Sequence, residues 1–411
     1  MSDYRYLLDI ALILLGTKAF GLFTRKLRMP AVVGALLAGI ILGPAVLNWV
    51  QPSNLISSLS EIGVIVLMFG AGLETSITDL KKAGLKALVI AVLGVLVPLG
   101  LGYWIATFYN VGPEAWIGNL FLGVILTATS VGITVETLKE MGAMKTTSGN
   151  AILAAAVIDD VLGIIALTIV SGLADSSVNV GIVLLKIVLF FIFAVIVGVL
   201  LHKVFAWWFD HDSRGGLQRY SIISFAFALI MAFVSEEFFG VADITGAYFA
   251  GLIISMTQRE PYIASRFDVL SYTYLSPIFF ASIGLKVSLP EMNGTIVAFA
   301  VVLTIVAILT KVVGCGLGAK LCHYKNYQAI RIGVGMISRG EVALIVASKG
   351  ESLGMMSTAV MGPVVIVVIL TTIIAPILLK PVFKRGPETT PDPNVDMSKN
   401  YEAINKFREG K

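Results

Sequence analysis

The chain has 411 residues, of which 57% are hydrophobic and only 14% are charged, and its formal net charge is +4. A soluble domain carries roughly 25% charged residues, so this composition excludes an ordinary soluble protein and predicts a polytopic helical membrane protein. The small net charge does not indicate a nucleic-acid partner, and the only two cysteines, Cys315 and Cys322, form neither a disulfide framework nor a zinc motif.

Thirteen apolar stretches follow one another along the chain, and each is about as long as an α-helix that crosses a bilayer core of roughly 30 Å. The first lacks a basic region and a small-residue cleavage site, so it is predicted to be a retained span rather than a signal peptide. The sequence thus predicts an all-α membrane protein with thirteen transmembrane helices. The predicted spans are 5–24, 29–49, 55–74, 84–108, 116–139, 148–172, 179–208, 218–236, 241–257, 267–288, 296–321, 327–349 and 354–381.

The loops between these spans differ in charge. Loops after odd-numbered spans contain Lys or Arg, as in "RKLRM" (25–29), whereas loops after even-numbered spans, such as "QPSN" (51–54), contain neither. The positive-inside rule therefore predicts an N-terminus outside the cell and a C-terminus in the cytoplasm. An odd count with one linking span allows spans 1–6 and 8–13 to form inverted repeats.

Charged side chains interrupt several spans at membrane depth. A rise of about 1.5 Å per residue places each of them near the bilayer midplane. Such a charge costs at least about 2.5–3.5 kcal/mol there, so charges on different spans are expected to converge. The alternative is a set of structural salt bridges, in which Arg339 and Glu341 pair locally. The groups are Asp159 and Asp160 in the sixth span, Lys311 in the eleventh, Arg339 and Glu341 in the twelfth, and the polar residues Thr127, Thr129 and Ser130 in the fifth.

Asp159 and Asp160 are adjacent carboxylates, and a purely structural site would need only one of them. With Lys311 they form a coupled titration system, in which the protons belong to the cluster rather than to one residue. A small hard cation such as Na⁺ prefers oxygen ligands and therefore competes with protons for the carboxylate oxygens. This competition predicts a secondary active antiporter, provided that the site faces one side of the membrane at a time.

The fifth and twelfth spans contain small polar segments at matching positions of the two halves, "TATSVGIT" (127–134) and "GVGMISRG" (333–340). Such segments favour local unwinding, and broken helices at the midplane direct carbonyl groups and helix ends at a bound ion. Ordinary packing of small residues between helices is the alternative. The matched positions favour two broken helices.

Short motifs in a characteristic order extend this interpretation. They are "FGAGLET" (69–75), "TATSVGIT" (127–134), "VIDDVLG" (157–163), "GAYFAGLI" (246–253), "PIFFASIGLKVSL" (277–289), "TKVVGCGLGAK" (310–320) and "GMISRGEVALIVA" (335–347). With them, residues 5–381 resemble the monovalent cation:proton antiporter family 2, in particular its bacterial Nap-type sodium/proton exchangers and the related Kef-type potassium/proton exchangers.

The resemblance implies two crossed broken helices, a homodimer, and a core domain that moves against a dimerisation domain by an elevator mechanism. The implied parts are dimerisation-domain helices in 1–78 and 216–290, core-domain helices in 79–175 and 291–385, and a linker helix in 176–215. Residues 386–411 form a polar tail, predicted to be disordered and without room for a nucleotide-binding domain.

The resemblance also implies roles for individual residues. Asp160 matches the essential cation- and proton-carrying aspartate, and Asp159 matches its partner, which pairs with Lys311. Thr129 and Ser130 match the unwound site beside the ion, so Asp160 and Thr129 are the implied ligands of the transported Na⁺, Li⁺ or K⁺. The adjacent aspartates resemble the electrogenic branch, which exchanges two protons for one cation. Arg339, Glu341 and Thr127 are expected to support the site, and Glu341 could neutralise Arg339 or Lys311.

Other functions stay open at this point. A K⁺/H⁺ antiporter would differ only in the size of the cation site, and a cation channel would have a continuous pore. A sodium-coupled organic-anion symporter shares the crossed-helix design, but nothing in that class requires the aspartate pair and a midplane lysine. The sequence contains no nucleophile–base set or cofactor motif, so we expect a transporter in contact with membrane lipids rather than an enzyme.

Overall fold

The computed structural model describes residues 4–27, 29–75, 77–109, 115–174, 179–211, 217–286 and 294–384. Within these ranges the chain forms helices joined by turns and short connections, without a β-strand. The helices are α1 (Arg5–Lys26), α2 (Ala31–Leu42), α3 (Asn54–Glu74), α4 (Ile77–Ala106), α5 (Ala115–Thr127), α6 (Val131–Glu140), α7 (Thr147–Ala174), α8 (Val180–His211), α9 (Leu217–Phe239), α10 (Asp243–Ile254), α11 (Glu260–Leu270), α12 (Ser276–Leu285), α13 (Gly294–Leu321), α14 (Asn326–Gly335), α15 (Glu341–Ser352) and α16 (Met361–Lys384).

The chain is a multi-pass membrane protein. In the described ranges, nine helical stretches are long and apolar enough to cross a membrane, and one of them joins α5 and α6. Two further apolar helices, α2 and α10, are shorter. Helix α2 ends at Leu42, well before the predicted end of the second span, because the next residue, Gly43, precedes Pro44 and adopts an extended backbone. The count of thirteen crossings stays a prediction.

The helices pack in two groups. The α4 group comprises α4–α7 and α13–α16, in which α4 packs against α5, α7 and α13. The α1 group comprises α1–α3 and α9–α12, in which α2 packs against α1 and α12, and α3 packs against α10. Helix α8 contacts α7, α9 and α10, while α6 and α16 reach from the α4 group to the α1 group. The α4 group lies largely in the sequence ranges predicted for the core domain, and the α1 group in those predicted for the dimerisation domain, but the roles of the two groups stay a prediction.

Three spans contain irregular backbone. The fifth is interrupted between α5 and α6, at residues 128–130, and the twelfth between α14 and α15, at residues 336–340. The tenth is helical from residue 267 to residue 285, but a π-helical turn, Ser271–Leu275, joins α11 to α12. Pro277 follows this turn within the first residues of α12 and supplies no backbone N–H, which explains a change of helical register there.

Close backbone contacts hold each group together. A Cβ atom built at Gly39 of α2 would lie 2.1 Å from the carbonyl oxygen of Ala281 in α12. Likewise, a Cβ atom at Gly314 of α13 would lie 2.6 Å from the carbonyl oxygen of Leu93 in α4. Because backbone atoms cannot move aside as a side chain can, these helix pairs require glycine at the point of contact.

We predict that Gly39→Ala destabilises the protein, because the added methyl group would collide with Ala281 and force α2 away from α12. Overpacking of this kind costs about 1–3 kcal/mol. The matched control is Gly100→Ala in α4, where a Cβ atom would meet no heavy atom within 4 Å. Thermal unfolding of the purified proteins in detergent measures the difference. Equal melting temperatures for Gly39→Ala and Gly100→Ala would contradict the proposed contact.

Candidate cation site

A buried ion pair joins α7 to α13. The Nζ atom of Lys311 lies 2.7 Å from Oδ1 of Asp159, and it donates a hydrogen bond to that oxygen. The two side chains are 0% and 1% exposed, respectively. The second carboxylate oxygen of Asp159, Oδ2, has no hydrogen-bond partner among the described residues. The pair is therefore a desolvated cluster with one acceptor atom still available.

The packing around this pair leaves little room. A Cβ atom at Gly94 of α4 would lie 2.5 Å from Sγ of Cys315, and 3.8 Å from both Asp159 Oδ1 and Lys311 Nζ. Cys315 follows Lys311 by one turn of α13 and is itself fully buried. Helix α4 thus closes one side of the ion pair with bare backbone. Gly94 was not predicted, because a glycine in an apolar span gives no signal of what faces it.

The two helix interruptions contact each other. The backbone N–H of Ser130 donates to the carbonyl oxygen of Ser338 at 2.8 Å, and the Ser338 hydroxyl donates to the carbonyl oxygen of Ser130 at 2.9 Å. The hydroxyl of Thr134 donates to the carbonyl oxygen of Gly335 at 2.7 Å. An unwound backbone in an apolar interior has lost its own helical partners, so these bonds satisfy it. Ser130 is thus placed at the crossing, and Ser338 and Thr134 are members of it that we did not predict.

Arg339 stabilises the second interruption. Its fully buried guanidinium donates to the carbonyl oxygens of Met336, Ile337 and Ala307, at 3.2, 2.8 and 3.1 Å. In addition, its own carbonyl accepts a bond of 2.6 Å from Thr372. Among the described residues Arg339 forms no ion pair, so it acts as a cap for backbone carbonyls. The side chain of Glu341 lies outside the described structure, although its backbone begins α15.

The two threonines of the first interruption differ. The Thr127 hydroxyl donates to the carbonyl of Val124, one turn back in α5, at 2.8 Å, and it is therefore satisfied locally. The buried Thr129 hydroxyl has no hydrogen-bond partner in the described part of the chain. A buried hydroxyl without a partner is costly, so Thr129 has a free acceptor at the interruption. Helix α7, which carries the aspartates, packs against both α5 and α6, the helices on either side of this interruption.

Asp160 differs from its neighbour in exposure. Asp159 is buried, whereas Asp160 is half-buried. Nearly all residues of α7 between Ser148 and Val157 are buried, and those from Leu162 to Thr168 are half-buried. The half-buried part of α7 therefore lies mainly after Asp160, from Leu162 to Thr168. The two carboxylates are accordingly inequivalent, one paired with Lys311 in the interior and the other partly exposed.

The sequence was compared with families and with known relatives. The profile of a family described as "Sodium/hydrogen exchanger, transmembrane" matches residues 10–385. The Na⁺/H⁺-K⁺ antiporter GerN of Bacillus cereus is 39% identical, in an alignment that covers 93% of this chain and 97% of GerN. A Na⁺/H⁺ antiporter of Enterococcus hirae is 36% identical, with 90% of this chain and 96% of that protein covered.

The fold agrees with these similarities. The sodium proton antiporter MjNhaP1 from Methanocaldococcus jannaschii superimposes with a TM-score of 0.71, covering 95% of this chain and all of MjNhaP1. The sequences share 20% identity, so this likeness concerns the fold alone. The matches to the family profile and to GerN extend over nearly the whole chain. The protein therefore belongs to the sodium/hydrogen exchanger family of transmembrane proteins.

Proposed function

We propose that the protein is an electrogenic Na⁺(Li⁺)/H⁺ antiporter, whose shared cation and proton site is built on Asp160, Asp159 and Lys311. The observation that carries the proposal is the fully buried Lys311–Asp159 ion pair, one residue away from a second, half-buried carboxylate. A cluster of this kind binds either protons or a cation at the same oxygens. The names and family of its relatives support the same activity.

The chemistry follows from competition within the cluster. In the cation-loaded state, we propose that Asp160 and Thr129 supply oxygen ligands to Na⁺, while Asp159 stays paired with Lys311. Proton uptake by Asp160 removes the negative charge that holds the cation. We propose that Asp159, Asp160 and Lys311 act as one cluster, in which a charge gained or lost at one group acts on the other two. Two protons exchanged for one cation leave a net charge that crosses the membrane.

The helix interruptions complete the proposed site. Each leaves carbonyl groups and helix ends without intrahelical partners, and these dipoles stabilise a cation in the bilayer interior. The contacts of Ser130 with Ser338 and of Arg339 with its carbonyls hold the interruptions in one geometry. Arg339, and Glu341 beside it, would support the site rather than bind the ion. Thr127 would stabilise the last turn of α5, before the interruption, through its bond to the Val124 carbonyl.

The transport cycle we propose is an elevator movement. The α4 group carries the site as the core domain, and the α1 group forms the dimerisation domain of a homodimer in the cell membrane, with α8 as linker. The α4 group takes up protons from outside, slides to expose the site to the cytoplasm, exchanges them for Na⁺ and returns. With the predicted orientation, each net charge driven inward across 100 mV contributes about 2.3 kcal/mol. The thirteen spans and inverted repeats belong to this proposal.

A K⁺/H⁺ antiporter is the second candidate. The relative GerN is named a Na⁺/H⁺-K⁺ antiporter, so a close relative is associated with both cations. Selectivity depends on the size of the cavity around Asp160 and Thr129. Proton flux in everted vesicles, measured with Na⁺, Li⁺ and K⁺ at several pH values, separates the candidates. A cation channel would instead give currents far above carrier rates, without obligatory proton movement.

Asp160→Asn is expected to abolish cation-induced proton movement, because the amide can neither release a proton nor neutralise a bound cation. The measurement is Na⁺-dependent proton flux in vesicles that contain the variant. The control is Glu237→Gln, which removes an exposed carboxylate from the end of α9 and should leave exchange unchanged. Exchange at the wild-type rate in the Asp160→Asn protein would refute the site assignment.

Lys311→Gln is expected to abolish the response to membrane potential. Without its counterion the buried Asp159 carboxylate takes up a proton and keeps it, so one proton exchanges for one cation. Valinomycin with a K⁺ gradient should then accelerate the wild-type exchange but not that of the variant. Removing one partner of a buried pair also destabilises a protein by about 3–5 kcal/mol.

The double variant Asp159→Asn/Lys311→Gln separates the effect of the lost charge on transport from its effect on protein stability. It removes both buried charges, so it should unfold at a higher temperature than Lys311→Gln while staying insensitive to potential. Lys320→Gln, an exposed lysine of the same helix, is the matched control. Exchange by Lys311→Gln that still accelerates with membrane potential would contradict this assignment. A double variant that unfolds at a lower temperature than Lys311→Gln would also contradict it.

A further inference from the structure

The C-terminus of α6 is tied to four elements of the α1 group. Lys139 forms ion pairs with Asp268 of α11 and, at 3.6 Å, with Glu74 of α3. Its neighbour Glu140 forms an ion pair with Arg25 of α1, also at 3.6 Å. Two consecutive residues of the α4 group thereby hold opposite charges against three helices of the other group.

Glu140 has a second contact, with the N-terminus of α2. Its Oε2 atom accepts a hydrogen bond of 2.7 Å from the backbone N–H of Ala31, the first residue of that helix. The N-cap residue of α2 is Pro30, whose side chain cannot accept a hydrogen bond from the first N–H groups of the helix. A carboxylate at a helix N-terminus is favoured by both the free N–H group and the helix dipole. The cap of α2 is thus supplied by the other helix group.

Arg25 extends the cluster to the π-helical turn. Its NH2 group donates to the hydroxyl of Tyr272 at 3.0 Å, so one arginine contacts both the turn and Glu140. On the α3 side, a Cβ atom at Gly70 would lie 3.7 Å from the Lys139 amine, so the amine packs on bare backbone. The side chains remain partly exposed, from 19% for Glu140 to 43% for Arg25. Ion pairs that water can reach exchange readily with hydration, so this cluster can open and close.

The position of these ion pairs along the membrane normal relates them to the access of the cation site from the cytoplasm. They lie at the end of α6 that is predicted to face the cytoplasm, and the part of α7 between that side and Asp160 is almost entirely buried. The half-buried part of α7 lies on the opposite side of Asp160. The stretch of α7 between the α6 ion pairs and Asp160 is therefore packed against other helices, which is the arrangement expected when a site is closed toward that side.

We propose that Lys139 and Glu140 form a cytoplasmic latch, which holds the α4 group against α1, α2, α3 and α11 while the site is closed to the cytoplasm. The proposal rests on the elevator movement proposed above. Opening the site to the cytoplasm separates these charges and uncovers the N-terminus of α2. The latch determines how often the site faces the cytoplasm, although Lys139 and Glu140 do not themselves contact the transported ions.

Lys139→Gln, Asp268→Asn and Glu140→Gln test the latch in everted vesicles, whose outer face is the cytoplasmic one. A binding-competent state that is populated only in part weakens the apparent affinity by its population. Releasing the latch should therefore lower the apparent KM for Na⁺ on this face, by about three- to tenfold. Arg5→Gln is the matched control, since the Arg5–Asp9 pair of 3.1 Å lies within α1 and joins no two groups.

Thiol labelling provides a second measurement that does not depend on transport. Val157→Cys places a reporter on α7, in the buried part before Asp160, in a protein whose partly exposed Cys322 is replaced by Ser. A membrane-impermeant maleimide added to everted vesicles should label this cysteine severalfold faster in the latch variants than in the parent or in Arg5→Gln. The same proteins without the reporter give the background.

The outcomes are distinguishable. A lower KM together with faster labelling in at least one stably inserted latch variant supports the proposal. Latch variants that merely lose thermal stability, with KM and labelling unchanged, overturn it, because a purely structural role predicts that result. If the wild type shows no cation-dependent proton flux, the proposed function fails instead, and the labelling rates still decide whether the ion pairs control access.

Discussion

Every polar group placed in an apolar interior must find a partner there, and this constraint organises the centre of the molecule. Interrupting two helices at membrane depth frees backbone groups that water cannot reach. Ser130 and Ser338 satisfy each other across the crossing, and Arg339 spans the carbonyls that remain. Within the described ranges some buried polar atoms still lack a hydrogen-bond partner, and two of them, Asp159 Oδ2 and the Thr129 hydroxyl, belong to residues of the proposed cation site.

The ion pair gives the two neighbouring aspartates different properties. Lys311 neutralises Asp159 in a pocket closed by Gly94 and Cys315, and there it is shielded from solvent. Asp160 lies one residue further along α7 and is half-buried. Successive residues on a helix point about 100° apart, so one carboxylate can face α13 while the next faces an accessible region. The two adjacent aspartates therefore lie in different environments, with the Asp159 carboxylate buried and the Asp160 carboxylate half-buried.

The sequence predicted two kinds of feature: the helices, from the length of the apolar runs, and the clustering of charges at membrane depth, from the cost of burying a charge. Apolar runs located the helices, and the charges at depth indicated that Asp159, Asp160 and Lys311 would converge. That Asp159 rather than Asp160 is the partner of Lys311 was implied by the family resemblance. Contacts that depend on relative helix position could not be predicted. Arg339 was expected to pair with a carboxylate or to support the site. It donates to the backbone carbonyls of Met336, Ile337 and Ala307, while the side chain of Glu341 lies outside the described structure. Gly94 and the Glu140–Ala31 bond were missed because neither carries a periodic or compositional signal before the helices are assembled.

Helix contacts within each group differ from those between the groups, and this difference bears on the elevator movement that we propose. Within a group, glycines bring backbones into direct contact, as at Gly39 and Gly314, and such contacts tolerate no sliding. Between the groups, the described glycines that face the other side meet side chains, since Gly132 of α6 lies against the ring of Phe279 and Gly70 of α3 against the Lys139 amine. Side chains can change rotamer and ion pairs can hydrate, whereas a backbone contact cannot be remade elsewhere. The boundary between the groups is therefore the surface along which movement disrupts the least, and Lys139 and Glu140 lie at its rim.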